Sequence, residues 1–354
     1  MLSTLPEQLG LTAIVLGAGA TRGSTLAGDG ERPLPPLDAD FFTQVQRIKH
    51  DKHQPYVDSL IQFCHSEFGP GWSLSMEKFF NHVWYAQKFR SGIDVRVSDG
   101  GTTRAIAVTV VFRQVLLATL EQALFGEHSH SCLTATCELH DALAQHLQAD
   151  DGVISFNYDC LIDASLRSHC AYWDVDRSYG FKPLATKARA YWESPAGRPS
   201  RIPVNLYKLH GSINWQAVGT SGIRLVQRPY TRQKGDRDFF IVPPVLSKDD
   251  VMGQILWPVW QRAFRRLVRS ESIVVAGYSL PAADPIAQAL FTSRGASEKA
   301  KPLKYLILAN PDRQTRHHLI HAFRASIGPR TRVLVFDKLV NALDFLIKGS
   351  HPLH

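Results

Sequence analysis

The sequence has 354 residues, of which 44% are hydrophobic and 20% are charged. This length is sufficient for two domains, or for one large core with an insertion, and the apolar fraction is ordinary for a soluble globular protein. The formal net charge is +8. The densest basic group, Arg262, Arg265, Arg266 and Arg269, fits one helix face, and we expect a solvated or oligomer-facing surface there rather than direct nucleic-acid binding.

The N-terminus has no basic region and no cleavage signal, and the five cysteines form no C-x-x-C pair. Both features predict a cytoplasmic protein without a disulfide framework. The best candidate for a membrane span, residues 105–120, is interrupted by Arg113 and Gln114. We therefore expect that no apolar stretch is long enough to cross a bilayer and that the protein has no membrane partner.

The first predicted element is a short strand, residues 13–16, that runs into the glycine turn L-G-A-G-A-T-R-G. Such a turn before a helix is typical of phosphate binding, although it can also simply close a βα unit. Gly17 and Gly19 fit the dinucleotide pattern G-x-G-x-x-G, but Arg22 occupies the third position. Asp38 and Asp40 lie near the expected acidic position, yet they follow prolines instead of a second strand, so the pattern of a hydride-transfer enzyme fails two checks.

Residues 41–147 are predicted to be mostly helical, because apolar residues recur at spacings of three and four. The longest such stretch, TTRAIAVTVVFRQVLLATLEQALFG, is expected to end at Gly126 as a C-cap, although its β-branched centre also suits a strand. Beyond residue 150, apolar β-rich runs alternate with helical patterns: GVISFN, VNLYKLH, DFFIVPP, SIVVAGYS, KYLILAN and TRVLVF.

This alternation predicts an α/β fold, with a Rossmann-like, mostly parallel sheet covered by helices on both faces. The strand at residues 13–16 has no other strand nearby before Val153, so we expect it to join the later strands in one sheet. The predicted organisation is therefore a sheet domain formed by residues 1–36 and 151–354, with a helical insertion at residues 37–150.

Ligands of such sheets bind at the carboxyl ends of the strands. The residues that follow the runs are small, hydroxyl-bearing, amide, acidic and imidazole groups, which suit phosphates, ribose and one base, and they include no metal cluster. They are Gly17-Ala18-Gly19-Ala20, Asn157-Tyr158-Asp159, His210-Gly211-Ser212, Gly277-Tyr278-Ser279 and Asn310-Pro311.

The order of these motifs, G-A-G-A, N-Y-D, L-H-G-S, G-x-S-L and a final Asn, resembles the sirtuin-like family of NAD-consuming proteins, above all the bacterial sirtuin-like NAD hydrolases of antiphage defence. The Pro35-Pro36-Leu37 loop is similar too. The resemblance implies catalytic roles for Asn157, Asp159 and His210. It implies NAD+ contacts for Gly17, Ala18, Gly19, Ala20, Thr21, Gly211, Gly277, Ser279 and Asn310.

Two departures from the deacylating sirtuins are visible. Their zinc cysteines follow the His-Gly motif, whereas this chain has no cysteine after His210, and their Q-N-I-D motif reads Phe156-Asn157-Tyr158-Asp159 here. Both departures favour the hydrolase branch over a protein deacylase and imply NAD+ as substrate, with no metal. Because the I-P-D-F-R loop is replaced by PLPPLDADFF, the nicotinamide-contacting residues are not assigned.

The resemblance thus implies an NAD+ hydrolase that releases nicotinamide and ADP-ribose and depletes NAD+ during phage infection. It also implies a homo-oligomer, and an activating partner such as a HerA-type ATPase or an Argonaute-type protein. A module that binds NAD or ADP-ribose without turnover is an alternative, as is an NAD-dependent protein deacylase. Asp159 is equally well explained as a helix cap.

Two further motifs predict other chemistry. Gly277-Tyr278-Ser279-Leu280-Pro281 nearly matches the G-x-S-x-G nucleophile elbow, for which Asp284, Asp312 or Asp337 and then His317 or His318 would complete a triad. The second is a group of potential zinc ligands without a standard finger spacing, for which surface histidines and a buried cysteine are the expected explanation. It comprises His128, His130, Cys132, Cys137 and His140. His317 and His321 lie four residues apart on a predicted helix, where a solvent-facing surface is expected.

Overall fold

The structure is a computed structural model that describes residues 9–23, 32–49, 51–90, 92–126, 137–199, 201–230, 239–242, 249–282 and 284–348. Its strands, in chain order, are β1 Thr12–Leu16, β2 Asp94–Asp99, β3 Thr102–Ala107, β4 Gly152–Ser155, β5 Asn205–Lys208, β6 Gly211–Val218, β7 Gly222–Leu225, β8 Phe239–Ile241, β9 Ser272–Ala276, β10 Tyr305–Ala309 and β11 Arg332–Phe336.

The helices alternate with these strands beyond residue 150 and dominate the segment before it. In chain order they are α1 Ala18–Arg22, α2 Phe41–Val45, α3 Gln54–Phe68, α4 Met76–Phe89, α5 Val108–Phe125, α6 Glu138–His146, α7 Leu161–His169, α8 Val175–Ser178, α9 Lys187–Tyr191, α10 Asp249–Arg269, α11 Pro285–Ala296, α12 Arg313–Ala322 and α13 Leu339–Lys348.

The main sheet has six strands in the order β11-β10-β9-β1-β4-β5, and each is parallel to its neighbours. Every residue of β1, β4, β9 and β10 is buried, as expected for apolar strands covered on both faces. Helix α10 packs on β4 and β5 and contacts α11, while α13 packs on β10 and β11 and contacts α6, which packs against α7. The predicted Rossmann-like α/β fold is confirmed.

Strand β1 lies between β4 and β9, so the prediction that it joins the later strands is confirmed. The segment between β1 and β4 therefore leaves the sheet and returns to it. The bounds of the insertion, residues 37–150, stay a prediction.

The sequence interpretation was wrong about β8. The run DFFIVPP was expected to add a strand to the parallel sheet, but Phe239–Ile241 pairs antiparallel with β6. Strands β7, β6 and β8 form a separate three-stranded sheet, and β6 begins directly after His210. Neither β6 nor β7 was predicted.

The prediction of a helix from Thr102 was also wrong. Residues Thr102–Ala107 form β3, which pairs antiparallel with β2. Gly100 (φ 57°) and Gly101 (φ 81°) supply the two left-handed residues that a tight hairpin turn requires. The helix α5 begins only at Val108 and ends, as predicted, before Gly126, whose φ is 59°.

By length and composition α5 is able to cross a bilayer, which corrects the expectation that no stretch is long enough. However, 72% of its residues are buried inside the fold. Phe112 of this helix contacts the rings of Phe41, Phe79 and Phe80 at centroid distances of 5.0, 5.4 and 4.3 Å. Helix α5 is therefore the central core helix of the insertion.

Candidate active site

The carboxyl ends of four neighbouring strands meet beside the glycine turn that follows β1. The Gly17 N–H donates to Ala276 O at 3.0 Å, and the Gly19 N–H donates to Gly277 O at 2.8 Å. On the other side of β1, the Phe156 N–H donates to Leu16 O at 2.9 Å. After β1 the sheet continues through β4 and β5 on one side, and the chain later returns to add β9 and β10 on the other side. Open parallel sheets bind ligands at the carboxyl ends of the strands where the order reverses in this way.

Two glycines allow this close approach of the turns after β1 and β9. A Cβ atom on Gly277, whose φ is +61°, would lie 2.0 Å from the Ala20 nitrogen. A Cβ atom on Gly17 would lie 2.5 Å from the Tyr278 Cα. Any larger residue at either position would separate the two turns, so the glycines bring two backbones together at the head of the site.

Several backbone N–H groups of the turn after β1 already donate hydrogen bonds within the protein. Those of Gly17 and Gly19 donate across to the β9 turn, and that of Ala20 donates to Gly17 O at 2.9 Å. Ala18 is the first residue of α1, so its N–H has no acceptor within the helix. A phosphate would therefore contact only part of the turn that the sequence assigned to it.

Asn157 follows β4 and is held by the turn after β1. Its Nδ2 donates to Gly17 O at 3.1 Å and to Thr21 Oγ1 at 3.1 Å, while the Thr21 hydroxyl donates to Asp159 Oδ2 at 2.9 Å. A carboxylate only accepts, so the Thr21 hydroxyl must donate to Asp159 and accept from Asn157. This sequence of bonds fixes the orientation of the amide.

Both N–H groups of the Asn157 amide are consequently occupied. Its Oδ1 is buried and has no hydrogen-bond partner among the described residues. A buried acceptor without a donor costs about 1–3 kcal/mol. The amide oxygen is therefore available to accept from a hydroxyl or a water molecule of a bound ligand.

Asp159 makes one hydrogen bond with each of its two carboxylate oxygens. Its Oδ1 accepts from the N–H of Leu161, the first residue of α7, at 3.0 Å, and so binds the start of the helix from the position before its N-cap, Cys160. Its Oδ2 binds Thr21, as described above. The carboxylate thus connects α7 to the first turn, and its part in chemistry stays a prediction.

His210 follows β5 and forms a buried pair with Asp284. The His210 Nε2 lies 2.8 Å from Asp284 Oδ2, and the two side chains are 7% and 0% exposed. Gly211, next in the chain, has a φ of +78°, and a Cβ atom there would lie 2.1 Å from Phe240 O. The glycine is therefore required where the chain passes from His210 into the three-stranded sheet.

Aromatic rings surround this pair. The Phe156 ring stacks on the Tyr278 ring at a centroid distance of 3.9 Å and meets the His210 ring edge-on at 5.2 Å. Trp260 of α10 donates from its indole N–H to Leu209 O at 2.9 Å. The side chain of His210 is thus packed against the ring of Phe156, the immediate neighbour of Asn157, whereas Asn157 itself bonds to the β1 turn.

Acidic groups of the insertion lie close to the same rings. Burial raises the pKa of the Tyr158 phenol well above its usual value, and the charges of Asp284 and Asp38 raise it further. Burial likewise raises the pKa of the Tyr278 phenol, with the charges of Asp284 and Glu77 adding to it. Asp38 itself binds Glu77, since its Oδ1 accepts from the Glu77 N–H at 2.7 Å. The insertion therefore borders the site.

A buried ion pair lies behind the site. Lys208 Nζ is 2.9 Å from Asp163 Oδ2, both side chains are 0% exposed, and the ammonium also donates to Asp159 O. Burial lowers the pKa of Lys208, but the charge of Asp163, the other acidic groups nearby and the hydrogen bond to Asp163 together outweigh it, so the pKa is raised overall. Lys208 is consequently a charged structural group that fixes the backbone at Asp159.

The remaining predicted contacts lie at the outer edge of the site. Asn310 follows β10; its Nδ2 donates to Tyr278 O at 3.4 Å, and its Oδ1 accepts from the Asp312 N–H at 2.9 Å. Ser279 is exposed beside the β9 turn. Asp40, considered as a ribose ligand, instead pairs with Arg22 at 2.5 Å.

The geometry does not favour a serine nucleophile at Ser279. Asp284 pairs with His210, Asp312 caps α12 through both oxygens, and Asp337 pairs with Arg316. His317 and His318 are exposed on α12. The three acids proposed for the triad are thus bonded to other groups.

The potential zinc ligands His128, His130 and Cys132 lie outside the described residues. Within them, His140 Nδ1 lies 3.1 Å from Cys137 Sγ, and the described part of the chain contains no group of three metal-ligating side chains. Cys64, Cys137, Cys160 and Cys170 are buried thiols that form no disulfide bond. His321, like His317, is exposed on α12.

Sequence reasoning found the strand-end residues but missed two of their partners. It did not connect His210 with Asp284, which lies 74 residues further on, and it did not see that Thr21 joins Asn157 to Asp159. Asp284 precedes Pro285 at the start of α11, a position that predicts a helix cap, and the sequence had offered it as an acid only for a triad with Ser279.

A parallel α/β sheet with a glycine turn, a carboxamide and an imidazole at its carboxyl edge defines a ligand-binding α/β protein. The model of the SIR2-like domain family matches residues 151–327, so the chain belongs to this family. A search of curated proteins found no match.

Solved structures of Sir2 homologues are similar to this chain. Two variants in complex with ADP-ribose each have 14% identity and a TM-score of 0.38, and cover 97% and 96% of this chain and 92% of their own. A third variant, in complex with 2′-O-acetyl ADP-ribose, has 13% identity, a TM-score of 0.38 and coverage of 97% and 92%.

Proposed function

We propose that this protein hydrolyses NAD+ at the bond between nicotinamide and ribose and releases nicotinamide and ADP-ribose. The observation that carries the proposal is the buried Oδ1 of Asn157, which has no partner among the described residues and lies beside the glycine turn of a SIR2-like fold. An acceptor of this kind suits a ribose hydroxyl or an attacking water.

The chemistry requires few groups. Nicotinamide is attached as a cationic pyridinium and leaves with the electron pair of the glycosidic bond as a neutral molecule, so no general acid is needed. The paired carboxylates of an ordinary glycosidase are therefore dispensable. The reaction instead needs an oriented substrate, a stabilised oxocarbenium-like ribose and a base for the proton that water loses when its oxygen bonds to the ribose carbon.

We assign these tasks to groups already described. Asn157 Oδ1 accepts from the ribose hydroxyl or the water, and His210 takes the proton, because imidazole titrates near neutral pH. Asp159 acts by holding Thr21 and by its charge. The NAD+ contacts proposed from the resemblance are Gly17, Ala18, Gly19, Ala20, Thr21, Gly211, Gly277, Ser279 and Asn310.

The lack of any cysteine after His210 favours hydrolysis over protein deacylation, because the zinc cysteines of deacylating sirtuins follow the corresponding motif. We propose that no metal takes part. A protein that only binds NAD+ or ADP-ribose would keep the same turns, and turnover separates it from a hydrolase.

The test is nicotinamide release from NAD+, measured by chromatography. We expect His210→Ala and Asn157→Ala each to lower the rate by about 100-fold or more, because each removes a group that contacts the reacting ribose or water. The matched control is His317→Ala, an exposed histidine on α12, which should keep the full rate. Full activity in both site variants, with the fold intact by circular dichroism, would end the assignment.

We further propose that the hydrolase is a cytoplasmic, homo-oligomeric antiphage effector that depletes NAD+ once a partner, such as a HerA-type ATPase or an Argonaute-type protein, activates it. The support is the resemblance of its motifs to defence hydrolases. Nicotinamide release and light scattering, measured with and without the products of neighbouring genes, test both points. Unchanged release and mass on adding every such product would contradict the partner proposal.

A further inference from the structure

Asp284 makes two hydrogen bonds in opposite directions. Its Oδ2 lies 2.8 Å from His210 Nε2, and its Oδ1 accepts from the Ala287 N–H at 3.1 Å, which caps α11. The side chain of Asp284 is completely buried. The cap fixes the carboxylate on a helix, and the helix therefore sets the position of the imidazole.

The pair determines which nitrogen of His210 carries the proton. An ionised carboxylate only accepts hydrogen bonds, so Nε2 must be the donor and the lone pair of the neutral ring must lie on Nδ1. The imidazolium that forms when Nδ1 takes a proton keeps the same bond and gains a charge attraction.

We propose that Asp284 is the positioning residue of this site: it orients the His210 ring, fixes its tautomer and stabilises the imidazolium. The proposal rests on the proposed function, because proton transfer to His210 belongs to it. Asp284 acts through His210 and needs no contact with the substrate.

The aromatic rings around His210 make a carboxylate partner necessary for its charged form. The rings of Phe156, Tyr158 and Trp260 lie 5.2, 6.1 and 6.4 Å from the His210 ring. A charged imidazolium among buried rings would be costly without a nearby anion. The titratable groups that face this region from the other elements are Tyr158, Tyr278, Asp38 and Glu77.

The backbone that leads to Asp284 adopts unusual conformations. Gly277 has a φ of +61° and Leu280, whose side chain is buried, has a φ of +52°. A left-handed conformation is unfavourable for a residue such as leucine, because its Cβ atom comes too close to the following carbonyl oxygen. Strain of this kind is concentrated at functional sites, where surrounding contacts maintain it.

The informative variant is Asp284→Asn. The cap requires an acceptor facing the Ala287 N–H, so the amide oxygen should take that place and the amide nitrogen should face His210. An amide N–H cannot accept from Nε2–H, so the ring must adopt the opposite tautomer. We expect kcat to fall by about 10²–10⁴-fold with KM for NAD+ little changed, and the melting temperature to move by only a few degrees.

Two comparisons separate positioning from capping. Asp284→Ser keeps a good cap but provides no carboxylate, and it should lose kcat in the same way. Asp312→Asn is the matched control, because Asp312 caps α12 in the same manner at an exposed position, and its kcat should equal that of the unchanged protein.

The tautomer itself is the second readout, and it does not depend on turnover. Two-bond ¹⁵N–¹H correlation spectra of the histidine side chain should show an Nε2–H ring at His210 in the unchanged protein and an Nδ1–H ring in Asp284→Asn. The same tautomer in both proteins, or an unchanged kcat in an active Asp284→Asn enzyme, overturns the proposal. If the tautomer changes but none of the proteins releases nicotinamide, even with the products of the neighbouring genes added, the pairing is supported and the proposed function fails.

Discussion

Thr21 is the residue that connects two polar groups at the head of the site, the amide of Asn157 and the carboxylate of Asp159. Its hydroxyl accepts from Asn157 and donates to Asp159, so one side chain orients a carboxamide and a carboxylate together. Its own side chain is buried. The resemblance assigned Thr21 to the NAD+ diphosphate turn, whereas the bonds observed here give it a second task, that of orienting the amide.

Thr21→Val and Thr21→Ser test that task at the residue scale. Valine keeps the shape but has no hydroxyl, which leaves one Asn157 N–H and one Asp159 oxygen without partners, and a buried unsatisfied group costs about 1–3 kcal/mol. We expect nicotinamide release to fall by at least about 10-fold in Thr21→Val and to stay close to the original rate in Thr21→Ser. Equal rates in the two variants would show that the hydroxyl does not orient Asn157.

At the scale of elements, the two turns that follow β1 and β9 form one unit. Gly17, Gly19 and Gly277 allow the backbones to touch, and the N–H groups of the first turn donate into the second. The sequence predicted both turns from their glycines and their places after apolar strands. It could not predict their contact, because strand order decides which turns become neighbours, and β1 and β9 are separated by most of the chain.

Gly277→Ala should therefore destabilise the protein strongly. The added Cβ would lie 2.0 Å from Ala20 N at a φ of +61°, so overpacking of about 1–3 kcal/mol adds to the cost of a left-handed alanine. We expect the free energy of unfolding to fall by at least about 2 kcal/mol in urea denaturation.

Gly219→Ala is the matched control for this prediction. Gly219 has nearly the same φ, +62°, but a Cβ atom there would meet nothing within 4 Å. Only the conformational cost should remain, about 1 kcal/mol. Equal losses in the two variants would mean that contact between the turns contributes nothing.

The prediction of helices and strands from the sequence was weakest where a short pattern fits both a helix and a strand. β3 was taken as helix because its apolar residues continue into α5, and Gly100 and Gly101 were not recognised as a hairpin turn. β8 was placed in the wrong sheet because a three-residue apolar run carries no information about its partner. In both cases the pairing partner, which is a tertiary property, determined the structure.

Over the whole molecule, one continuous core joins the insertion to the sheet. Glu121 of α5 is buried in it and pairs with two groups that precede α3, Lys52 Nζ at 2.8 Å and His53 Nε2 at 2.8 Å. Burial raises the pKa of Glu121, but the hydrogen bonds from His53 and Lys52 outweigh it and lower the pKa to about 2. The interaction of Glu121 with Lys52 and His53 therefore makes the stability of the protein depend on pH.

The sign follows from the direction of the shift. An acid whose pKa is lowered by folding contributes stability above its ordinary value of 4.5, and this contribution is lost as pH falls from there toward about 2. We expect Glu121→Gln to be less stable at neutral pH and to lose less further stability between pH 4.5 and 2, as measured by urea denaturation at several pH values. Glu138→Gln, at an exposed position on α6, is the control and should follow the unchanged protein; a Glu121→Gln curve parallel to both would contradict the assignment.

Asp151 contributes a pH dependence of stability that is opposite in sign to that of Glu121. Burial raises its pKa to about 6, although the N–H groups of Gln148 and Thr12 donate to it. Folding favours its neutral form, so the stability it contributes is lost as pH rises from about 3.8 toward 6. The window of Asp151 lies above that of Glu121, so the two carboxylates together predict a stability that rises with pH up to about 4 and falls again from there toward 6.

The class of fold and the candidate side chains follow from the amino-acid sequence, because apolar runs fix where strands are buried and polar residues after them must lie at one edge of a parallel sheet. Which of these groups touch each other depends on the tertiary structure. Asn157, after β4, contacts Thr21 in α1, and His210, after β5, contacts Asp284 at the start of α11. Such contacts between distant segments depend on strand order and packing, which no local sequence pattern records.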